Sequence, residues 1–263
     1  VIGWTTKRED GRILMGSGLE GHVAVITGAG RGLGADIATS LGAKGCRVVV
    51  WDIDAEAAQQ VTKTIRAAGG DAVDVVGNVC NTAQVIHIRD EIIDTLGSVQ
   101  ILVNCAGFSR DSPITTMSDD QWNQVIDVCL TAPFLVTRAL VTSMIDQQYG
   151  RIVNISSRAR FGDFNKCNYA AAKAGLVGLT AALSLELGQA GITVNAIAPG
   201  FIETERIKSL SHFKEMKGRA LAGTFTPRLG TPADVSDAVT YLVAPQSGFI
   251  TGEVLTISGG RLR

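Results

Sequence analysis

The chain has 263 residues, a formal net charge of −1 and no block of like charges, which argues against nucleic acid or an anionic membrane as its main partner. A chain of this length buries roughly 70–75% of the surface its unfolded form exposes, so its core needs no disulfide or metal staple. Cys46, Cys80, Cys105, Cys129 and Cys167 show no CxxC spacing, so no disulfide framework and no metal site are expected. Small buried thiols in a reducing, cytoplasmic compartment are expected instead.

The stretch "VIGWTTKREDGRILMGSG" has charges where a signal peptide needs its apolar segment. Residues 1–18 are expected to be an N-terminal extension without a catalytic role. No uninterrupted apolar run reaches the roughly 18–20 residues of a membrane span. From residue 19 onward, short Val- and Ile-rich runs alternate with longer helical stretches. The runs are "HVAVIT" (22–27), "RVVVWD" (47–52), "AVDVVG" (72–77), "VQILVNC" (99–105), "GRIVNIS" (150–156), "GITVNAIA" (191–198) and "EVLTIS" (253–258). They are nearly continuous in apolar residues, as expected for strands covered on both faces. "DAEAAQQVTKTIRAAGG" and "TAQVIHIRDEIIDTLG" have helical apolar spacing and close on Gly, a helix stop. This order predicts an α/β fold, a Rossmann-type doubly wound parallel sheet of about seven strands with helices on both faces. No repeat or linker interrupts it, so residues 19–263 are expected to form a single dinucleotide-binding and catalytic domain.

The first strand runs into "TGAGRGLG" (27–34), which opens a helix. Gly28 permits a tight turn, and Gly32 and Gly34 carry no side chain to hold a pyrophosphate away from the backbone. The helix N-terminus offers that anion free N–H groups and a positive dipole end. Asp52 closes the second strand about 20 residues further on, where a carboxylate can accept both hydroxyls of an adenosine ribose. An alternative role for Asp52 is a helix N-cap, since a helix starts at Asp54 and Ala55. A carboxylate there repels a 2′-phosphate and favours NAD over NADP, whereas Arg31 could pair with such a phosphate.

Further on stands "NISSRARFGDFNKCNYAAAKAG" (154–175). Tyr169 and Lys173 are four apart on a helical stretch and project from one face. A free phenol has a pKa of about 10 and is a poor base at neutral pH. A neighbouring ammonium favours the phenolate, which could then take a proton from an alcohol or return one to a ketone. A serine hydroxyl at the end of the preceding strand could hold the same oxygen.

With these motifs in this order, the sequence closely resembles the short-chain dehydrogenase/reductase family over about residues 19–260. The matching segments are "TGAGRGLG", "NCAG" (104–107), the serine, "YAAAK", "NAIAPG" (195–200) and "FITG" (249–252). The resemblance implies NAD(P)-linked oxidation of a secondary alcohol or reduction of its ketone. It maps the catalytic set onto Ser157, Tyr169 and Lys173, with Ser157 chosen over Ser156 because the loop that follows looks one residue short. It places a family Asn at Cys129, in "VIDVCLT". That Asn bends its helix and helps hold a water that relays protons to Lys, so a thiol there implies a slower or rearranged proton exit. The cofactor set implied is Gly28, Arg31, Gly32, Leu33 and Gly34 in the loop, and Asp52 with Ile53 at the second strand. It continues with Asn78 and Val79 beside the adenine, and Asn104, Ala106 and Gly107 at the fourth strand. Tyr169 and Lys173 follow, and then Pro199, Gly200, Ile202 and Thr204 around the nicotinamide. NAD is the expected cofactor, with NADP second.

Substrate is expected over Tyr169, among the 107–113 loop, the 158–168 loop and the segment after Pro199. These carry Phe108, Arg110, Arg158, Arg160, Phe161, Phe164, Lys166, Arg206 and Lys208. The aromatics suggest an apolar or ring-bearing alcohol or ketone, and the cations could bind a carboxylate or phosphate. Relatives that reduce 3-oxoacyl groups on acyl carrier protein carry docking arginines at the positions of Gln148 and Ala190. That function is therefore an alternative reading, as is a catalytically impaired dinucleotide-binding protein. Surplus apolar faces on the helices around 118–147 and after Tyr169, together with the family habit, predict a homotetramer.

Overall fold

Parallel strands need long crossovers, and the helical stretches between the Val/Ile runs supply them. The computed structural model describes residues 8–9, 12–13, 18–211 and 213–261. Its main strands are β1 (Val23–Thr27), β2 (Arg47–Asp52), β3 (Asp71–Val76), β4 (Ile101–Asn104), β5 (Gly150–Ile155), β6 (Ile192–Pro199) and β7 (Val254–Ile257). They form one parallel sheet in the order β3-β2-β1-β4-β5-β6-β7. The doubly wound architecture read from the sequence is therefore present. Of the expected 1–18 extension, only Gly18 and an antiparallel pair, Arg8–Glu9 with Arg12–Ile13, lie inside the described residues.

The helices are α1 (Gly32–Ala43), α2 (Ala55–Ala67), α3 (Thr82–Leu96), α4 (Asp119–Ile126), α5 (Ala132–Asp146), α6 (Cys167–Leu187), α7 (Glu205–Lys208), α8 (Phe213–Ala222) and α9 (Pro232–Val243). Successive β1 residues serve opposite faces. Ala24 and Ile26 pack with Ile37 and Leu41 of α1, Ile65 of α2 and Val239 of α9. Val23 and Val25 pack with Ile88 of α3 and with Val136 and Leu140 of α5. Each such buried aliphatic side chain contributes about 1.5–3 kcal/mol. Burial on both faces holds for the inner strands only. β3 and β7 lie at the sheet edges and are partly exposed, which the apolar runs alone did not reveal.

Local chemistry sets the helix ends. Asp54 and Asn81 cap α2 and α3 by accepting the N–H groups of Ala57 and Gln84. Gly97 ends α3 with φ +84, a conformation open to glycine. Two helical stretches, Asp119–Asp146 and Cys167–Ala190, have the length and mean hydropathy of a membrane span, although no uninterrupted apolar run does. Their polar residues interrupt every apolar run but do not lower the average enough. Both stretches flank the sheet, where an apolar helix finds its partner.

At the sheet edge opposite the strand ends that build the site, His22, Tyr149 and Arg151 pack together. Arg151 is 4% exposed, donates to the carbonyls of Gly150 (2.8 Å) and Gly191 (3.3 Å), and lies 4.4 Å over the Tyr149 ring. Burial, and then the Arg151 charge, hold the His22 imidazole below its ordinary range, with Glu20 opposing. A lowered folded pKa means the fold keeps the ring neutral. The stability from this is full above the ordinary value of about 6.5. It is lost as pH falls below that value toward the lowered one, because the unfolded chain then takes up a proton the folded chain refuses. The urea midpoint should therefore fall between pH of about 7.5 and about 5.5, and His22→Phe should flatten part of that fall. An unchanged slope in the variant would rule out His22 as its source.

Candidate active site

The strand order reverses between β1 and β4, so the loops after these strands diverge and leave a crevice at the carboxyl edge of the sheet. A cleft of about 1710 Å³ occupies that edge. Its floor is the glycine loop. Gly28 has φ +65, and a Cβ on it would lie 2.7 Å from the Cα of Ala106. A Cβ on Gly34 would lie 2.2 Å from the carbonyl oxygen of Gly28, so only glycine lets α1 start this close to the loop. Arg31 at the N-cap makes no side-chain cap, and the first turn of α1 holds no acid. The free N–H groups and dipole end at this bare backbone fit a pyrophosphate.

Asp52 stands at the tip of β2. Its Oδ2 accepts the Gly30 N–H at 2.8 Å and its Oδ1 accepts the Asp54 N–H at 3.0 Å. Two backbone donors thus hold the carboxylate in the cleft and leave it lone pairs for further hydroxyl donors. The N-cap role weighed for Asp52 belongs to Asp54, whose second carboxylate oxygen is ion-paired with Arg31. Gly30, which the sequence reading passed over, is bare for a reason. A Cβ there would lie 2.8 Å from the Ala57 Cβ and 2.9 Å from Asp52 Oδ2.

Leu33, Ile53, Asn78, Val79, Ala106, Gly107, Pro199, Gly200, Ile202 and Thr204 all line the cleft. Asn104 does not. It is 2% exposed, and its amide donates to Thr137 Oγ1 (3.1 Å) and Asn154 Oδ1 (2.9 Å), tying β4 to β5 and α5. Any support it gives the cleft is indirect, through the strand. Val128 also lines the cleft and carried no sequence signal beyond its place before Cys129.

Tyr169 and Lys173 lie one turn apart near the start of α6, and both line the cleft with Ser157. Lys173 is 3% exposed. Its Nζ donates to the Ile155 carbonyl at 2.6 Å and lies 5.6 Å from the Tyr169 ring centroid. The serines differ in what engages them. Ser156 is buried, and its hydroxyl donates to the Lys173 carbonyl at 2.8 Å. Ser157 is half-buried, and its Oγ accepts the Ala159 N–H at 3.1 Å, leaving its own proton free to donate.

Cys129 falls in a π-helical turn, Asp127–Thr131, between α4 and α5. The helix is therefore distorted at this point without the Asn the family pattern places there. The thiol is fully buried and donates to the Phe108 carbonyl at 3.4 Å. A Cβ on Gly107 would lie 3.3 Å from Cys129 Sγ and 3.4 Å from Lys173 Nζ, so a bare glycine keeps the thiol and the ammonium close to one point. All five cysteines are free, but only Cys46 and Cys129 are buried, fewer than expected. Burial, with Glu20 adding, pushes the Cys46 thiol up to about 12.

The substrate-side loops are stitched together. Ser112 N–H donates to the Asn165 carbonyl, and the Asn168 amide to the Arg110 carbonyl. Lys166 pairs with Asp163 (3.3 Å) and Asp111 (3.6 Å), and Arg158 pairs with Asp163 (3.7 Å). Arg110 and Arg160 lie over the rings of Phe108 and Phe161. Of the nine substrate-side residues read from the sequence, Phe108, Arg206 and Lys208 line the cleft. The other six do not.

The profile of a family described as Enoyl-(Acyl carrier protein) reductase matches residues 28–261. The chain belongs to the short-chain dehydrogenase/reductase family. Among similar relatives of this reductase family, the (2S)-[(R)-hydroxy(phenyl)methyl]succinyl-CoA dehydrogenase subunit BbsD of Thauera aromatica is 39% identical, over 93% of this chain and 98% of that protein. The 3-oxoacyl-[acyl-carrier-protein] reductase FabG of Vibrio cholerae is 37% identical, over 92% of this chain and 98% of its own. A Beutenbergia cavernae protein assigned as an NAD(P)-dependent gluconate 5-dehydrogenase, solved with NADP at low occupancy, superposes with a TM-score of 0.88 at 33% identity. That match covers 94% of this chain and 99% of the other. The chain is an oxidoreductase of this family.

The contact at Cys129 sets an expectation. An Asn amide at this position also donates to a carbonyl, and more strongly than a thiol. Cys129→Asn should therefore keep the fold and leave turnover equal or raised, most visibly where proton release limits the rate. A large fall in turnover, in a folded variant that still binds dinucleotide by calorimetry, would show a specific role for the thiol.

Proposed function

We propose that this reductase transfers hydride between NAD and a secondary alcohol or its ketone, with Ser157, Tyr169 and Lys173 as the reacting set. One observation carries this reading. Tyr169 and Lys173 line the same cleft as the bare glycine loop and Asp52, so a proton-transfer group and a dinucleotide cradle share one space. The bound nicotinamide supplies or accepts the hydride. The Ser157 hydroxyl holds the substrate oxygen. Tyr169 Oη removes its proton during oxidation and returns it during reduction. The Lys173 ammonium lies beside the Tyr169 ring, and its remaining N–H groups would hold a cofactor ribose. Ser156 is set aside, because its hydroxyl is engaged by the Lys173 carbonyl. A thiol at Cys129 leaves this set intact, which supports an active enzyme over an impaired binding protein.

The pairing of Arg31 with Asp54 supports NAD over NADP, since it ties up the loop cation that a 2′-phosphate would need and leaves Asp52 to repel that group. The names of two relatives bear on the substrate. BbsD acts on a hydroxy(phenyl)methyl-succinyl thioester and FabG on 3-oxoacyl groups. Both substrates carry oxygen on the carbon β to an acyl carbonyl. A substrate of that kind is the reading carried to this chain, with 3-oxoacyl-[acyl-carrier-protein] reduction as the alternative. Gln148 and Ala190 precede β5 and β6, at the sheet edge opposite the cleft. Their lack of charge therefore weighs against carrier docking at that edge rather than in the cleft. Leu185 on α6 (83% exposed) and Phe249 (102%) are apolar surface that supports assembly into a homotetramer. The free cysteines support a reducing, cytoplasmic setting.

Nicotinamide absorbance with β-hydroxyacyl thioesters, plain secondary alcohols and the matching ketones tests the reaction. Turnover is expected with NAD, and no turnover across the panel would leave a dinucleotide-binding protein. Tyr169→Phe should bind NAD normally and lose about 10²–10⁴-fold in turnover. Ser157→Ala should cost more than Ser156→Ala, and the reverse order would move the substrate hydrogen bond to Ser156. Asp52→Ala should narrow or reverse the NAD preference. Equal calorimetric affinity for NAD and NADP in the unsubstituted chain would count against the ribose role of Asp52.

A further inference from the structure

A dinucleotide brings a pyrophosphate of about two negative charges into the cleft. The α1 N-terminus answers with the equivalent of about half a positive charge. The cations lining the cleft are Arg31, Lys173, Arg206 and Lys208. Arg31 is paired with Asp54, and Lys208 with Glu205 at 2.9 Å. Lys173 donates to the Ile155 carbonyl and lies beside Tyr169, at the chemical end. Lys217, on the neighbouring α8, is held by Glu203 at 2.7 Å. Among the described residues, Arg206 is the cleft-lining cation with neither an acidic partner nor a carbonyl partner.

Its position suits an anion at the glycine loop. Thr204 caps α7 by accepting the Ile207 N–H. The nearest atom to a Cβ built on Gly32 is Thr204 Cγ2, at 3.8 Å, so the start of α7 lies across the loop from the α1 N-terminus. Arg206 is the second residue of α7. We propose that Arg206 closes the pyrophosphate site from the α7 side, opposite the N–H groups of α1, and is not a substrate-binding residue. This rests on the reading of the cleft as a dinucleotide site. A guanidinium fork matches phosphate oxygens, and the flanking acids are already engaged, Glu203 by Lys217 and Glu205 by Lys208.

Calorimetry on the full chain with NAD, ADP-ribose and adenosine tests this. Arg206→Gln should weaken NAD and ADP-ribose by about 10-fold or more, the range for a hydrogen bond to a charged group, and leave adenosine unchanged. Arg206→Lys should recover part of the loss, and Lys214→Gln, on α8 and outside the cleft lining, should stay within about 2-fold. The salt dependence of NAD affinity should be shallower in Arg206→Gln than in the unsubstituted chain. NAD and ADP-ribose affinities unchanged in Arg206→Gln would overturn the proposal while leaving the dinucleotide reading intact. So would an equal loss of adenosine, which marks a structural defect. A raised KM for an acidic substrate with NAD affinity unchanged would assign Arg206 to the substrate instead. Failure of the unsubstituted chain to bind either NAD or NADP would instead overturn the dinucleotide reading itself.

Discussion

The approach of α1 to the loop that precedes it governs the cleft. With 2.2 Å between a notional Gly34 Cβ and the Gly28 carbonyl oxygen, any side chain would force the helix away from β1. Holding it there does three things. It keeps uncapped N–H groups at the cleft floor. It brings the Gly30 N–H onto Asp52, which fixes the carboxylate at the tip of β2. It also leaves room for Thr204 to reach Gly32 from the far side, so the start of α7 faces α1 across the loop.

The chemical end depends on a reciprocal brace between β5 and α6. Lys173 Nζ donates to the Ile155 carbonyl, and Ser156 Oγ donates to the carbonyl of Lys173. Burying an ammonium is costly unless it is hydrogen-bonded, and the Ile155 carbonyl meets part of that need while the pair locks the first turns of α6 onto the strand end. Tyr169 sits one turn earlier and Ser157 one residue later, so the brace sets both without using either. Beneath them, Cys129 joins Val125 and Ala172 in a small apolar cluster against which Phe108 and Tyr169 pack. The thiol thus supports the floor through packing and through its contact to the Phe108 carbonyl.

Charge is distributed unevenly along the cleft. On the substrate side, Lys166 and Arg158 are neutralised by Asp111 and Asp163, and the loops they join are tied by backbone hydrogen bonds. Phe164 (87% exposed) and Ile114 (74%), in or beside these loops, are apolar surface. On the glycine-loop side, among the described residues, Asp52 has no cationic partner and Arg206 no acidic one. Under the proposed dinucleotide reading, these two charges would complement a ribose and a phosphate pair.

Periodicity and glycine placement were enough to read the sheet, its helices, the bare turn between β1 and α1, and the spacing that puts Tyr169 and Lys173 one helical turn apart. Each of these is a local property: a run of β-branched residues, a turn only glycine can make, or two side chains one helical turn apart. The edge exposure of β3 and β7, the burial of Asn104 away from the cleft, and the pairing of Arg31 with Asp54 were not legible. Neither were the different hydrogen-bond partners of Ser156 and Ser157, which adjacent identical residues cannot show. These depend on which strand ends beside which, and on what each polar group meets across the crevice. Sequence spacing names the groups able to do chemistry. Only the tertiary structure decides which remain free, because a hydrogen bond or ion pair to a residue distant in the chain removes a group from the site without changing its identity.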